Sequence, residues 1–344
     1  MAIMPSRPQA RQFAELLRTL EPKVKQAFMR GVVDLHSNVD WPALLSALDR
    51  QNITEAVMSL NISSAAWAEY GSAVTGVYST AGYETAKQIS KIKGVGIGIR
   101  FDSQNPRAER WIKQNVAGRV VGFSSEQIET AREVISEGYA RGDGPRNIAV
   151  DLVGRVGPSG VREGGVLGLD QPRARRYNAV SVGMRTPEGV KSLVSNGKVR
   201  YKVNPATEAR ILAAWKSGTA VPEKQRLISE RQYNNALLQQ RAETVANTET
   251  AEAVLAGRQE QWEQAAEQKE FNKSDIQKTW QHRRGSQGRE DHIKMNGVSV
   301  MGIDTPFTLP DGTQMKYPHD PAGGAENNIS CACSCEYRLI RRVS

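Results

Sequence analysis

The chain is poor in cysteine, in aromatic residues and in long apolar runs, and each shortage removes a class of protein. Its three cysteines all fall within Cys331-Ala332-Cys333-Ser334-Cys335. An odd, clustered set cannot make a spaced disulfide framework, so a reducing compartment is expected, with metal binding or plain burial left as uses for the thiols. No run of about eighteen apolar residues exists, which leaves no membrane-spanning helix to propose. The first ten residues carry two prolines and lack the apolar stretch of a secretory signal. Aromatics make up 6%, charged residues 24% and hydrophobic residues 39% of 344 positions, a lean composition that still suits two or three globular domains.

Positive charge is in excess, +9 overall, and it is unevenly placed. Residues 171–202 hold Arg173, Arg175, Arg176, Arg185, Lys191, Lys198, Arg200 and Lys202 against a single acid, Glu188. Such a concentration can neutralise phosphates and release counterions, so double-stranded DNA is one candidate partner, met through Arg173, Arg175, Arg176, Lys198, Arg200 and Lys202. An acidic protein surface or plain solvation is the other reading, because no aromatic interleaving or nucleic-acid motif accompanies the charge.

Apolar spacing predicts a helix over residues 9–30, kinked at Pro22, and another over 42–60 with Asp40 as its cap. Residues 61–92 read as partly helical. In 93–101, Gly94, Gly96 and Gly98 alternate with Val95, Ile97 and Ile99. That period of two predicts a strand with a bare face; a phosphate loop is rejected because neither Gly-Lys-Ser/Thr nor the required strand–helix context is present. Then a small helical bundle is expected: one helix opened by Asn105-Pro106, a second after Ser124-Ser125, a third after Gly142-Asp143-Gly144-Pro145. Glycine-rich residues 154–172 read as a linker, and a helix follows near 206–217. From Pro222 toward Phe271 a long helical region is rich in Glu, Gln and Ala, with Gly257 as an interruption. Beyond Ser274, strands are expected around 298–303, 307–309 and 315–317, turning at Pro310-Asp311-Gly312, with a loop over 318–330 and a returning strand over 331–340. The fold class expected is α+β, with a mostly helical N-terminal half and a C-terminal domain of one or two long helices packed on a small antiparallel sheet. The segments are a helical region 1–92, a bundle with a leading strand 93–160, a glycine-rich and basic connector 161–221, and an α+β domain 222–344.

In the last part of the chain, Trp280, Arg289 and His292 lead into Asn296-Gly297, Phe307, Asp311-Gly312, Tyr317-Pro318 and Cys331-Ala332-Cys333. Upstream lie Tyr233, Leu237-Leu238, Arg241-Ala242-Glu243-Thr244 and Ala246-Asn247-Thr248-Glu249. This order resembles the C-terminal domain of the phage Mu protein F-like family, the head morphogenesis or minor capsid proteins of tailed phages. Residues 162–169 resemble a glycine-rich stretch of some members, and residues 126–156 the helical tract before it. The chain departs from the family at several polar positions: Asn247 and Gln287 stand where arginine is usual, Gly285 replaces an aspartate, and Ser330 and Ala332 replace the asparagine and arginine of the terminal Asn-Cys-Arg-Cys. The family's structural positions then fall on Glu249, Trp280, Arg289, His292, Gly297, Phe307, Pro318, Cys331 and Cys333. The resemblance implies a virion component near the portal vertex of the head. It implies partnership with portal protein, with scaffold and major capsid protein, and with packaged DNA or an acidic portal surface.

For chemistry, Cys331, Cys333, His292 and His319 offer soft and imidazole donors for a tetrahedral zinc, and no other cofactor is expected. Against it stands a Cys-x-Cys on a strand, lacking a two-residue knuckle, with buried thiols beside His292 and an Arg289–His292 hydrogen-bonded pair orienting the loop after Trp280. No catalytic or organic-cofactor residues are expected. The alternatives kept are a nuclease or ADP-ribosyltransferase-like enzyme on the same fold, using His292, Arg289 and Glu249, and an adaptor ejected with the genome.

Overall fold

The computed structural model describes residues 6–92, 95, 98–157, 160, 162–268, 271–283 and 288–340. It is α+β, dominated by helix, with small antiparallel sheets. In chain order the helices are α1 (Ser6–Ser37), α2 (Trp41–Asp49), α3 (Ile53–Met58), α4 (Ala68–Ile89), α5 (Pro106–Trp111), α6 (Gly118–Ala140), α7 (Pro145–Val153), α8 (Gln171–Gly183), α9 (Pro187–Leu193), α10 (Pro205–Ser217), α11 (Glu223–Glu267), α12 (Glu290–Lys294) and α13 (Gly324–Asn328). The strands are β1 (Arg155–Val156), β2 (Arg162–Glu163), β3 (Val194–Ser195), β4 (Lys198–Val199), β5 (Ile276–Gln281), β6 (Ser299–Met301), β7 (Phe307–Thr308), β8 (Gln314–Met315) and β9 (Ser334–Leu339).

Local chemistry explains most boundaries. Asp40 caps α2 as expected, its carboxylate accepting from the Ala43 N–H at 3.0 Å. Residues 42–60 nonetheless form two helices, because Gln51 takes the left-handed conformation (φ 54°) and Asn52 starts α3 as a new cap. Pro22 lies inside a continuous α1, so the chain is not broken there. The two helices expected on either side of Ser124-Ser125 are one run: α5 passes through a π-helical stretch, Ile112–Ala117, into α6. Ser124 sits within α6 and bonds back to the Val120 carbonyl at 3.3 Å instead of capping. In 93–101 the residues Lys93, Gly94, Gly96 and Ile97 lie outside the described set. Among the others no strand forms, and Val95, Ile99 and Phe101 are buried individually.

The chain divides into two compact units, each built from separate stretches: residues 1–28, 69–119 and 243–344 in the first, and 29–68 and 120–242 in the second. Neither coincides with one consecutive segment read from the sequence, since α1 and α11 each contribute residues to both.

In the second unit the glycine-rich stretch is packed structure and not a linker. Val166, Leu167 and Leu169 are buried, and side chains bind the backbone between them from several elements. Asn234 donates to the Gly165 carbonyl (2.6 Å) and Arg241 to that of Gly168 (2.8 Å). Gln127 donates to the Leu169 carbonyl and accepts from the Gly168 N–H, and His36 meets the Leu167 carbonyl at 3.2 Å. Gly168 needs its φ of 89° and its bare Cα there, because a methyl group would strike Val32.

In the first unit the second half of α11 is enclosed on every side: residues 251–266 are all buried, Glu252, Arg258, Gln259, Glu260, Gln261, Glu263 and Gln264 included. A helix surrounded by protein has no polar face to give to water, so its polar side chains must find partners. Arg107 spans Glu260 (3.0 Å) and Glu267 (2.6 Å), Gln264 pairs with the Asp102 backbone, and Gln259 bonds the Tyr337 hydroxyl and the Ile303 carbonyl. Gly257 does not interrupt α11. Its bare Cα lets the backbone of α4 at Tyr78 pass in contact, where a Cβ would collide with the carbonyl oxygen.

The three-stranded sheet has the order β6-β5-β9, all antiparallel, with Trp280 opposite Cys335 and Lys278 opposite Tyr337. The outer edge of β9 is capped by Gln9 of α1. Its amide donates to the Tyr337 carbonyl (2.8 Å) and accepts from the Tyr337 N–H (3.1 Å), as a neighbouring strand would. Trp262 of α11 stacks on Tyr337 at 5.8 Å.

Candidate metal centre

The central strand β5 orients the site. Ile276, Lys278 and Trp280 alternate inward, and the buried Trp280 ring meets His292 at 5.3 Å and Phe307 at 5.5 Å, both edge-to-face. Gly297, at φ 84°, turns the chain from α12 into β6 and donates to the Trp280 carbonyl at 2.8 Å. Arg289 opens α12 and donates to the Ile329 carbonyl at 2.9 Å. It is therefore not paired with His292, as the sequence suggested; each reaches the cysteine loop separately.

His292 projects Nδ1 toward both cysteines, 3.3 Å from the Cys331 sulfur and 3.7 Å from that of Cys333. Its Nε2 lies 3.0 Å from Asn327 Oδ1, while the Asn327 amide nitrogen donates to the Gly323 carbonyl. Since that nitrogen is committed to a carbonyl, the oxygen must face His292, and Nε2 must carry the proton. Cys331 and Cys333 lie ahead of β9, not on it as expected, so their thiols converge on one point, and the Cys333 N–H is directed at the Cys331 sulfur at 3.4 Å. The donor atoms of His292, Cys331 and Cys333 all lie within 4.8 Å of one another, and these three can hold a soft metal ion.

The electrostatics favour a thiolate. A hydrogen bond from Cys333 holds the Cys331 thiol well below its usual range against the effect of burial, helped by His292 and His319. Cys333, donating to it, is raised for the same reason, with burial adding. For His292, burial disfavours the charged ring, but the bonds to Cys331 and Asn327 prevail and its pKa rises. The third thiol, Cys335, pairs across the sheet with Trp280, stands outside the His292–Cys331–Cys333 cluster and is raised to about 11 by burial. Lys278, buried and donating to the Lys316 carbonyl at 2.7 Å, is lowered to about 8 by burial.

Residues distant in sequence meet here. Thr248 of α11 accepts from the Ser330 N–H at 3.1 Å, tying the helix to the cysteine loop. Glu249, next to it, is buried and ion-paired with Arg119 at 2.8 Å. Pro318 and Phe307 are buried in the same unit, whereas Gly285 and Gln287 lie outside the described residues. A cleft of about 720 Å³ bordered by Phe13, Leu17, Glu21, His282 and Cys331 opens onto the loop.

Of the basic residues expected to face a polyanion, Arg173 is ion-paired with Asp170 and Arg175 with Glu133 at 2.5 Å; Arg185, elsewhere in the same tract, is bound to Asp151. Exposed charge remains at Arg176, Lys198, Arg200 and Lys202, the last three on and just after the β3–β4 hairpin, whose Asn196-Gly197 turn has φ of 50° and 72°. The sequence missed β5 as the centre of the sheet, although the alternation of Ile276, Lys278 and Trp280 was its signal; a lysine at an inward position concealed it. Comparison with protein-family models, with curated proteins and with solved structures finds no match for this chain.

Proposed function

We propose that this chain is a minor capsid, or head morphogenesis, protein of a tailed phage, associated with the portal and acting by adhesion rather than turnover. The observation that supports this reading is the gathering of Glu249, Trp280, Arg289, His292, Gly297, Phe307, Pro318, Cys331 and Cys333 in one packed unit. These are the positions that carry the resemblance to the Mu F-like proteins, and several act on one another: Trp280 meets His292 and Phe307 edge-to-face, and His292 faces Cys331 and Cys333. The polar groups there are engaged in holding loops, a role that suits a binding module. On this reading it works in the host cytoplasm during procapsid assembly and ends in the head near the portal vertex, with portal, scaffold and major capsid proteins as partners.

Mass spectrometry of purified particles is the direct test. The chain should be present at a copy number near that of portal and far below that of the major capsid protein. Its absence from both procapsids and virions would sink the proposal. The exposed cations at Arg176, Lys198, Arg200 and Lys202 are the proposed contact with packaged DNA or an acidic portal face. Filter binding to duplex DNA across a salt series separates the two, since DNA contact requires affinity to fall steeply with salt and a flat response removes it.

A further inference from the structure

We infer that Cys331, Cys333, His292 and His319 close around one zinc ion as a structural Cys2His2 site. This inference is independent of any role in a phage particle. Its first support is metric. With zinc bonds of about 2.3 Å to sulfur and about 2.05 Å to nitrogen at tetrahedral angles, sulfur and nitrogen ligands stand about 3.6 Å apart. The two distances from His292 Nδ1 to the sulfurs, 3.3 and 3.7 Å, bracket that value.

The second support is the arrangement around His292. Histidine ligands ordinarily anchor the ring nitrogen that does not bind metal, and here Asn327 holds Nε2–H while its own orientation is fixed by the Gly323 carbonyl. Nδ1 is thereby left to face the thiols. The Cys333 N–H aimed at the Cys331 sulfur is the donor a metal-bound thiolate uses to spread its charge.

The third support is His319. It is completely buried at a left-handed backbone position (φ 65°) that a non-glycine residue rarely adopts. Neither of its ring nitrogens has a hydrogen-bond partner. Burying an imidazole with both nitrogens unsatisfied is costly; His319 acts on the charge of Cys331 from outside the tight His292–Cys331–Cys333 cluster, and closing onto the ion would make it the fourth ligand. His282, whose Nδ1 is 3.6 Å from Cys333, is the rival donor, but it is only half-buried and can satisfy itself with water. Two thiolates and two neutral imidazoles leave the zinc site without net charge, as burial requires, and any proton still held by a thiol is released to solvent on binding. With all four positions taken by protein, the ion pins the loop over 318–333 to α12 and leaves no place for substrate.

The test is elemental analysis of the full chain purified without metal-affinity resin, followed by cobalt(II) substitution. About one equivalent of zinc per chain is expected, and cobalt should give the intense visible bands of a tetrahedral ion together with thiolate-to-metal charge transfer. Asn327→Ala should weaken zinc about 10- to 100-fold in a competition titration, whereas Cys335→Ala should leave the stoichiometry unchanged. His319→Ala should shift the cobalt bands and His282→Ala should not; the reverse outcome overturns the assignment of the fourth ligand. Wild-type protein holding less than about a tenth of an equivalent, with no tetrahedral cobalt spectrum, overturns the site altogether.

Discussion

Replacing Glu252 by glutamine should remove a stability loss that the wild-type chain suffers as pH rises. Glu252 and Glu249 are both buried on α11 and share one arginine, Arg119, at 3.5 and 2.8 Å. One guanidinium cannot neutralise two carboxylates in a dry site, so the pair retains a proton. Burial first, then the neighbouring Glu249 charge, raise Glu252 to about 8 against the opposing pull of Arg119. In the unfolded chain the same carboxyl ionises near its usual value of about 4.3. Between those values the folded state binds more protons than the unfolded state, so stability falls as pH rises and the loss is complete only above the folded value. At about 1.4 kcal/mol per pH unit, the wild type should lose on the order of 2–3 kcal/mol between about pH 6 and about pH 9 through this group alone. Glutamine imitates the protonated acid and titrates nowhere. Chemical denaturation of both proteins across that range isolates the term, because ionisable groups away from this pair are common to both and cancel in the difference. The variant should gain on the wild type with increasing pH. A difference that stays flat, or runs the other way, would refute the shared-proton account.

Three further outcomes follow from packing. Gly257→Ala should destabilise by about 1–3 kcal/mol in denaturant unfolding, since its methyl group meets the Tyr78 carbonyl and α4 must move. Gln9→Ala should lose about 1–3 kcal/mol and speed amide exchange at Tyr337, whose N–H and carbonyl it now satisfies. Arg241→Met, which keeps the volume, should lose about 1–3 kcal/mol by leaving the Gly168 carbonyl and Glu126 without their donor, the latter discounted for its partial exposure. Unchanged unfolding midpoints in any of the three would remove the contact concerned from the account of stability.

What the sequence disclosed was local or compositional. Asp40 capped its helix because capping depends on residues within a single turn, and α+β followed from where the apolar period changes. The metal-capable set of His292, Cys331 and Cys333 could be named because cysteine is scarce and donor chemistry is specific. Failures came where tertiary surroundings overrode local pattern. Gly257 and residues 164–168 look like breaks, yet their missing side chains permit close contact within each unit. The polar run from Glu252 to Gln264 has the composition of a solvated surface, but several of the partners that satisfy it, Arg107, Asp102, Ile303 and Tyr337 among them, come from distant parts of the chain. Lys278 hid the central strand for the same reason, since its partner carbonyl at Lys316 becomes visible only in three dimensions. Part of the basic tract was spent on neighbours: Arg173, Arg175 and Arg185 answer Asp170, Glu133 and Asp151, of which the latter two lie well upstream.

The Gln9 amide lying along β9 sets an order of events during synthesis. The strand it covers leaves the ribosome after every other element of the sheet, so residues near the start must wait for it with their hydrogen-bonding groups unspent. The first unit therefore closes only once β9 has followed β5 and β6 out of the ribosome. Until then the Gln9 amide has no strand edge to answer it.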